Sequence, residues 1–373
     1  MDTRMEKVAD ILVNYSVEVQ PGDRVAIRLM DPLAEEMAVV VQKHVLKAGG
    51  LPSFLMAPTR ALETFFLNAS DKQLKSAAYP MFNDPFYQYA IEHFDVLITL
   101  RAESNSKSLN NIEPAKVALA EKARAGSSKT FMERQASGAL RWTLTQVPTL
   151  ASAQDAGMSL SQYEDFVYGA GRVDQRNPVA YWQKFSKEQQ RLADWLKGHD
   201  KVEVKGDNID LTLSIKGRTF INADGKKNFP DGEIFTGPVE ESVNGWVHFT
   251  YPAIYRSVEV EDVRIEFKNG KAVSATASKG QDYLTATLDT DKGARFLGEF
   301  AIGNNNGVDR FTRNILFDEK LGGTVHMAFG AGYPDTGSHN ESSVHWDMIC
   351  DMRSGGSITV DGELFYKNGK FKV

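Results

Sequence analysis

The chain has few of the features that assign a protein to a class at once. Its 373 residues include one cysteine, Cys350, so no disulfide can form within the chain, and such a lone thiol is typical of a small core residue in a reducing compartment. No segment approaches the ~18 uninterrupted apolar residues of a membrane span, and no apolar signal-peptide core follows the first residues. The formal net charge is -6, which leaves no basic footprint for nucleic acid. These absences predict a cytoplasmic protein that binds neither membranes nor nucleic acid.

The first half of the chain alternates between strand-like and helix-like sequence. At ~150 residues per domain, the length suggests two domains. Short apolar runs predict strands, and apolar stripes at helical spacing predict helices between them. Such alternation is typical of an α/β domain with a mainly parallel sheet. The predicted strands are 24–29, 51–56, 94–100 and 141–147, and the predicted helices are 7–17, 32–48, 159–169 and 186–196.

After about Gly198 the pattern changes to closely spaced β-structure. Dipeptides that adopt positive φ at low cost in two-residue hairpin turns recur between alternating runs. We therefore expect a β-rich α+β domain that is largely antiparallel. The boundary is placed near residues 198–206, which gives domains 1–203 and 204–373. The turn dipeptides are Asp224-Gly225, Asn269-Gly270, Asp361-Gly362 and Asn368-Gly369.

The C-terminal part carries side chains of the kind that hold metal ions in hydrolases. His345 and Asp347 are two residues apart on a predicted strand, so both side chains point to one face while the tryptophan between them points to the other. His326 alternates in the same way with apolar neighbours, and a Gly-Ala-Gly turn then leads to Tyr333. Imidazole, carboxylate and phenol oxygen form a mixed set that zinc, cobalt or manganese accepts. Each residue alone is also consistent with a hydrogen-bonded structural role.

Two further carboxylates lie in segments that favour a fixed position. Glu299 follows Leu-Gly in strand-like sequence, and Glu233 begins a short predicted strand between a Pro-Asp-Gly turn and a Gly-Pro stop. Glycine and proline on both sides of Glu233 restrict its backbone, and a metal site requires ligands that are held in place. The same local sequence also fits an ordinary exposed hairpin acid. The pattern therefore makes the chain a candidate metalloenzyme, although the local sequence at Glu233, taken alone, favours the exposed hairpin acid.

These motifs together resemble those of the M29 metallo-aminopeptidases, the family of aminopeptidases T, S and II. The resemblance extends over nearly the whole chain, from the segment around Leu12 to the C-terminal hairpin, and is much stronger than any single motif. Its most specific parts are Asn228-Phe-Pro-Asp-Gly-Glu233-Ile-Phe-Thr-Gly-Pro238, Leu297-Gly-Glu299, His326-Met-Ala-Phe-Gly with Tyr333, and Val344-His345-Trp-Asp347.

The resemblance implies a dinuclear metal site. Two divalent ions, of zinc, cobalt or magnesium, would lie side by side in a β-rich C-terminal catalytic domain that follows an N-terminal α/β domain. The family resemblance further implies a homodimer whose paired halves enclose the active sites, and we expect the contacts largely in the C-terminal half. The implied metal ligands in this chain are Glu233, Glu299, His326, Tyr333, His345 and Asp347.

The implied activity is the release of N-terminal amino acids from peptides. Two neighbouring ions can activate a shared water and polarise the scissile carbonyl, while one of them takes the free α-amine of the substrate. Tyr333 is either a ligand or the group that stabilises the oxyanion of the intermediate. Glu240, Glu241 and Glu341 lie near the ligand motifs as candidates for the general base, and the sequence does not choose among them.

Two other functions would use the same residues. Another two-metal peptidase or amidase, such as a dipeptidase, would differ only in its substrate pocket. A non-catalytic, metal-stabilised peptide-binding protein is disfavoured, because separate motifs all retain ligand-type residues. Neither the side-chain preference nor the native metal follows from the sequence.

Overall fold

A computed structural model describes residues 2–76, 85–123, 125–256 and 258–373. These residues form two compact units. The first contains the described residues up to Trp182 together with Gly225–Pro230, and the second contains Gln183–Asp224 and Asp231–Val373. The domain division into 1–203 and 204–373 remains a prediction, and its boundary falls within the strand Lys201–Gly206 of the second unit. Within the described residues, no helix has both the length and the apolar character to cross a membrane.

A five-stranded parallel sheet forms the centre of the first unit. Its strands are β1 (Arg24–Leu29), β2 (Leu51–Met56), β3 (Val96–Arg101), β4 (Arg141–Gln146) and β8 (Asn228–Phe229). Their order is β2-β1-β3-β4-β8, and every neighbouring pair runs parallel. β1 and β3 are almost wholly buried, as the continuous apolar runs of inner parallel strands require.

Helices connect these parallel strands, as crossover connections must. The four predicted helices each correspond to an observed helix that begins or ends close to the predicted position. The helices are α1 (Thr3–Ile11), which continues as a π-helix (Leu12–Ser16), a 3-10 turn (Pro32–Ala34) leading into α2 (Glu35–Lys47), α3 (Ala61–Asn68), α4 (Asp71–Leu74), α5 (Pro85–His93), α6 (Pro114–Ala123), α7 (Ala125–Ala136), α8 (Leu150–Asp155), α9 (Leu160–Ala170) and α10 (Pro178–Leu196).

The second unit is built from antiparallel sheets. The larger sheet has the order β14-β13-β10-β6-β5-β18-β19-β20, and a two-stranded ribbon pairs β11 with β12. Two short helices, α11 (Gln281–Leu288) and α12 (Ile315–Asp318), and a 3-10 turn (Pro334–Thr336) complete it. The strands are β5 (Lys201–Gly206), β6 (Ile209–Ser214), β10 (Asn244–His248), β11 (Ala253–Tyr255), β12 (Val258–Val260), β13 (Arg264–Lys268), β14 (Lys271–Thr276), β18 (Ser357–Val360), β19 (Glu363–Lys367) and β20 (Lys370–Phe371).

A five-stranded sheet of the second unit carries the candidate site. Its order is β17-β16-β15-β9-β7, and its pairs are antiparallel. The predicted fold class, a parallel α/β part followed by a β-rich α+β part, is confirmed. The strands of this sheet are β7 (Ile221–Ala223), β9 (Glu233–Thr236), β15 (Leu297–Gly303), β16 (Thr324–Gly330) and β17 (His345–Asp351).

Most of the predicted turn dipeptides join hairpin strands. Asn269-Gly270 connects β13 to β14, Asp361-Gly362 connects β18 to β19, and Asn368-Gly369 connects β19 to β20, with positive φ at both residues of each pair. The prediction at Asp224-Gly225 is wrong. The flanking strands belong to different sheets, because β7 pairs with β9 whereas β8 pairs with β4.

Candidate metal centre

One face of the β17-β16-β15-β9-β7 sheet collects most of the predicted ligands. In the antiparallel register, Glu299 and Asp347 both lie opposite Ala328, on either side of it. His326 is two residues before Ala328 on β16, and His345 is two residues before Asp347 on β17, so all of these side chains share the face. Antiparallel pairing thus brings together residues that are far apart in the sequence.

Small residues separate these side chains across the face. Ala301 lies opposite His326, Gly303 opposite Glu233, and Gly330 opposite His345. At Gly303 and Gly330 the missing side chain admits a close backbone approach, since a Cβ there would lie 2.3 Å from the carbonyl oxygen of Leu321 and 2.1 Å from that of Val344. The opposite face is a continuous apolar core that includes Ile234, Phe300, Ile302, Val325, Met327, Phe329, Trp346 and Met348.

Glu299 lies between the two histidines. Its Oε1 is 3.2 Å from Nε2 of His326, and its Oε2 is 3.7 Å from Nε2 of His345. The carboxylate is buried, with 4% of the residue exposed. Each oxygen of Glu299 therefore faces a different group of ligand-type atoms, which we call the buried half and the open half.

The buried half consists of Glu233, Glu299 and His326, whose ligand atoms lie within 4.8 Å of one another. Nε2 of His326 is 3.2 Å from Oε2 of Glu233. That oxygen and Nδ1 of His326 are buried and have no hydrogen-bond partner among the described residues. Buried polar atoms are normally satisfied, so the unpaired oxygen of Glu233 fits a site that binds a cation.

The open half consists of Glu299, His345 and Asp347, also within 4.8 Å of one another. Nε2 of His345 is 3.7 Å from Oδ2 of Asp347, and 30% of the His345 side chain is exposed. Nδ1 of His345 lies 2.8 Å from the carbonyl oxygen of Ala331. Because a carbonyl only accepts, Nδ1 carries a proton, and Nε2 faces the carboxylates, which is the orientation of ligating histidines.

Tyr333 borders the open half. Its ring is 5.3 Å from the His345 ring and 5.5 Å from the Phe235 ring, measured between centroids. The residue is 43% exposed. Burial of part of the ring, with the charges of Glu299 and Asp347, raises the pKa of the phenol, so Tyr333 is a neutral donor in this environment. Its predicted role as ligand or oxyanion stabiliser remains a prediction.

Asp231, Glu319 and Lys320 also belong to this cluster, although no local sequence pattern predicts it. Nζ of Lys320 lies 2.5 Å from Oε1 of Glu233, 2.7 Å from Oε1 of Glu319 and 3.3 Å from Oδ1 of Asp231. Glu319 also forms a third candidate group with His326 and Asp347. A charged Asp-Glu-Lys run at the end of a short helix ordinarily indicates a solvated surface, which is why sequence reasoning missed it.

The chain after α12 is held against the sheet at Gly303. A Cβ on Gly303 would be 2.3 Å from the carbonyl oxygen of Leu321, so only glycine admits this close approach. The amide of Asn305 donates to the carbonyl of Lys320 at 3.0 Å. Asp318 anchors the preceding helix, since its Oδ1 accepts from both the amide and the hydroxyl of Thr312. Together these contacts place Glu319 and Lys320 beside Glu233.

Negative charge dominates the electrostatics of the cluster. Burial raises the pKa of Glu233 to about 7, although Lys320 and His326 act to lower it. Burial likewise raises the pKa of Glu319 to about 7. Burial lowers the pKa of His326, but the neighbouring Glu233 and Glu299 raise it by more, to about 9. Carboxylates thus outnumber cationic groups in a buried space, an imbalance that suits divalent cations.

The candidate general bases differ in how they are held. Glu240 forms an ion pair with Arg218 at 2.5 Å and accepts a hydrogen bond from the amide of His339 at 2.7 Å. Its carboxylate therefore holds the loop that contains His339 in place. Glu241 and Glu341 are exposed. None of these three belongs to the described groups of ligand atoms, whereas Glu319 does. We therefore add Glu319 to the candidates for the proton-accepting carboxylate.

A sheet face with two adjoining N/O ligand groups that share one carboxylate is the arrangement expected of a metal-dependent hydrolase. Comparison with known proteins places the chain within that class. Residues 1–371 match the family described as thermophilic metalloprotease (M29), and the chain belongs to that family. The predicted resemblance is thereby confirmed, as is the predicted enzyme class, a metal-dependent hydrolase of peptide bonds.

Individual relatives match most of the chain. Aminopeptidase 2 of Geobacillus stearothermophilus is 25% identical over 411 residues, which cover 99% of this chain and 98% of that protein. Aminopeptidase T of Thermus thermophilus is 28% identical over 297 residues, which cover 71% of this chain and 72% of that protein. The solved structure of wild-type AmpT from Thermus thermophilus has a TM-score of 0.86 at 22% identity, covering 100% of this chain and 99% of that one.

Proposed function

We propose that the protein is an aminopeptidase that releases N-terminal amino acids from peptides with two divalent ions per chain. The observation that carries this proposal is the position of Glu299, whose Oε1 faces His326 and whose Oε2 faces His345. A carboxylate between two ligand groups is suited to bridge two ions. The names of the relatives, which are aminopeptidases, support the exopeptidase assignment.

The ligand roles follow the two halves of the cluster. Glu233 and His326 would hold the ion of the buried half, His345 and Asp347 that of the open half, and Glu299 both. Zinc, cobalt and magnesium are the candidate metals. When bound, such ions supply Lewis acidity, which activates a water and polarises a carbonyl.

The protein's own groups would complete the reaction. The partly exposed His345 and Tyr333 give the open half its access to solvent, and a peptide would enter from that side. Tyr333 would direct its hydroxyl towards the developing oxyanion or towards the ion. Glu319 would accept the proton of the attacking water. Its ligand atom lies within 4.8 Å of those of His326 and Asp347.

The assembly and location of the protein are part of the same proposal. We expect a cytoplasmic homodimer with its contacts largely in the second half of the chain, acting on peptides with a free N-terminus. Light scattering at micromolar concentration should give the mass of a dimer, and a monomer mass would contradict that expectation.

The test of the activity uses peptides that differ only at the N-terminus. The purified protein should release the first residue from an unblocked peptide, lose this activity with a chelator, and regain it with zinc, cobalt or magnesium. The matched N-acetylated peptide should resist cleavage, because it lacks the free amine. Equal cleavage of both peptides would exclude recognition of the amine, and activity that survives the chelator would exclude the metal.

A further inference from the structure

Lys320 is the lysine of the cluster, and its ion pairs are unevenly distributed between the two halves. The residue is 2% exposed, and its ammonium pairs with Asp231, Glu233 and Glu319. Of these partners, Glu233 belongs to the buried half, and Glu319 lies within ligand distance of both His326 and Asp347. Among the described residues, Glu299, His345 and Asp347 of the open half make no ion pair with a lysine or an arginine.

Lys320 and the buried half share one carboxylate. Oε1 of Glu233 is 2.5 Å from the ammonium, and Oε2 of the same carboxylate is 3.2 Å from His326. A cation held by Oε2 would therefore be separated from the ammonium by one carboxylate group. Asp231 and Glu319 also attract such a cation, so they offset part of the repulsion by the ammonium.

Two opposing effects follow from this arrangement. The ammonium orients Glu233, and supporting contacts of this kind are worth ~10–100-fold in metal affinity. It also repels a divalent ion across the shared carboxylate. At contact distances and an effective dielectric of ~20, such repulsion is equivalent to more than about a thousandfold in affinity. Repulsion is the larger effect.

We infer that the two halves of the cluster bind divalent ions with unequal strength, the open half first and more tightly, and that Lys320 sets this difference. The inference rests on the proposed function only in taking the cluster to hold two ions. It assigns Lys320 a positioning and charge role, without contact to the substrate.

The order of binding is tested by titrating the chelator-treated full-length protein with Co²⁺ and following the heat of binding. The wild type should show two steps that differ at least tenfold in affinity. His345→Gln should remove the tighter step, and Glu233→Gln should remove the weaker one. If the wild type takes up one ion, that binding should survive Glu233→Gln and disappear in His345→Gln.

The role of Lys320 is tested with Lys320→Met. The weaker step should tighten at least tenfold, while the tighter step should change less than threefold. The matched control is Lys279→Met, which removes an exposed ammonium from Glu259 and Glu261 and should change neither step. If circular dichroism shows that Lys320→Met is unfolded, Lys320→Gln replaces it, since it removes the charge and keeps hydrogen-bond donors.

Several results would overturn the inference. Two steps of equal affinity, or loss of the weaker step in His345→Gln, would refute the order. If the affinity of the weaker step is unchanged or lower in Lys320→Met, the proposed role of Lys320 is refuted. The peptidase proposal fails separately, through the assay with free and acetylated peptides, because the titration does not depend on turnover. Absence of any Co²⁺ binding would refute both.

Discussion

Glu299 is the residue on which both halves of the site depend. Its two oxygens approach different histidines, whereas His345 belongs to the open half alone. Loss of its charge should therefore affect both ions, and loss of His345 chiefly one.

Metal content measures this difference. By elemental analysis we expect about two ions in the wild type, about one in His345→Ala and least in Glu299→Gln, because removal of even a supporting partner costs ~10–100-fold in affinity. Activity should fall with the metal. Glu341→Gln, the same change at an exposed acid, serves as the control. Wild-type metal content in both variants would mean that these residues serve catalysis or packing.

Tyr333 has two possible roles that one substitution separates. If its hydroxyl stabilises the oxyanion, Tyr333→Phe should keep its metal and lose ~10²-fold in kcat, the usual effect of removing one such donor. If Tyr333 is a ligand, metal should be lost with activity. Tyr251→Phe, which removes a hydroxyl paired with Arg353 and Asp351, is the control. Full activity and full metal content in Tyr333→Phe would exclude both roles.

At this scale the sequence predicted the residues that gather on one sheet face better than it predicted their surroundings. Strand alternation correctly predicted that Trp346 opposes His345 and Asp347, and Trp346 lies in the apolar core. The sequence did not predict the burial of Glu319 and Lys320, because it depends on how the chain after α12 crosses the sheet. That crossing is set by tertiary contacts at Gly303, which no local pattern records.

At the scale of elements, the site depends on the close approach of the chain after α12 to Gly303 of β15. Gly303→Ala would push a methyl group against the carbonyls of Leu321 and Glu319, at 2.3 and 3.0 Å. We expect a loss of ~1–3 kcal/mol in the free energy of unfolding, as for other overpacked sites, together with weaker metal binding.

The matched control for Gly303→Ala is Gly169→Ala in α9. No atom lies within 4 Å of a Cβ there, and alanine favours helix, so stability should change little or rise by up to ~1 kcal/mol. Denaturant unfolding and Co²⁺ titration of both variants provide the comparison. Equal behaviour of the two variants would mean that the segment tolerates displacement from the sheet.

The elements themselves were predictable where local signals agree. Strands 24–29 and 51–56 match β1 and β2. The helix predicted over 186–196 begins earlier, at Pro178, where Asn177 accepts from the amide of Ala180. The Asn177-Pro178 pair is a recognisable helix start, because asparagine is a favoured N-cap residue and proline is favoured at the first helical position. Local sequence could not have prevented the error at Asp224-Gly225, because a turn dipeptide does not specify which sheet each flanking strand joins.

At the scale of the whole molecule, stability should depend on acid pH through Glu259. Hydrogen bonding to Arg313 lowers the pKa of Glu259 to about 2, against the opposing effect of burial and with further help from Lys279. Because the folded pKa lies below the usual value of 4.5, this stabilisation is present above about pH 4.5 and is lost as the pH falls towards 2.

Glu259→Gln isolates this contribution. At pH 7 we expect a loss of about 1 kcal/mol in the free energy of unfolding, after allowance for solvent screening, and the difference from wild type should vanish near pH 2. Glu341→Gln, the same change at an exposed acid, is the control. A destabilisation of Glu259→Gln that is constant between pH 7 and pH 2 would assign the effect to packing.

The most direct measurement for the whole account is anomalous diffraction from crystals soaked in zinc or cobalt. We expect anomalous peaks on the sheet face beside Glu299, one within reach of His345 and Asp347 and, at saturating metal, a second within reach of Glu233 and His326. Crystals with bound metal elsewhere and no peak beside Glu299 would contradict the assignment of this cluster as the metal centre.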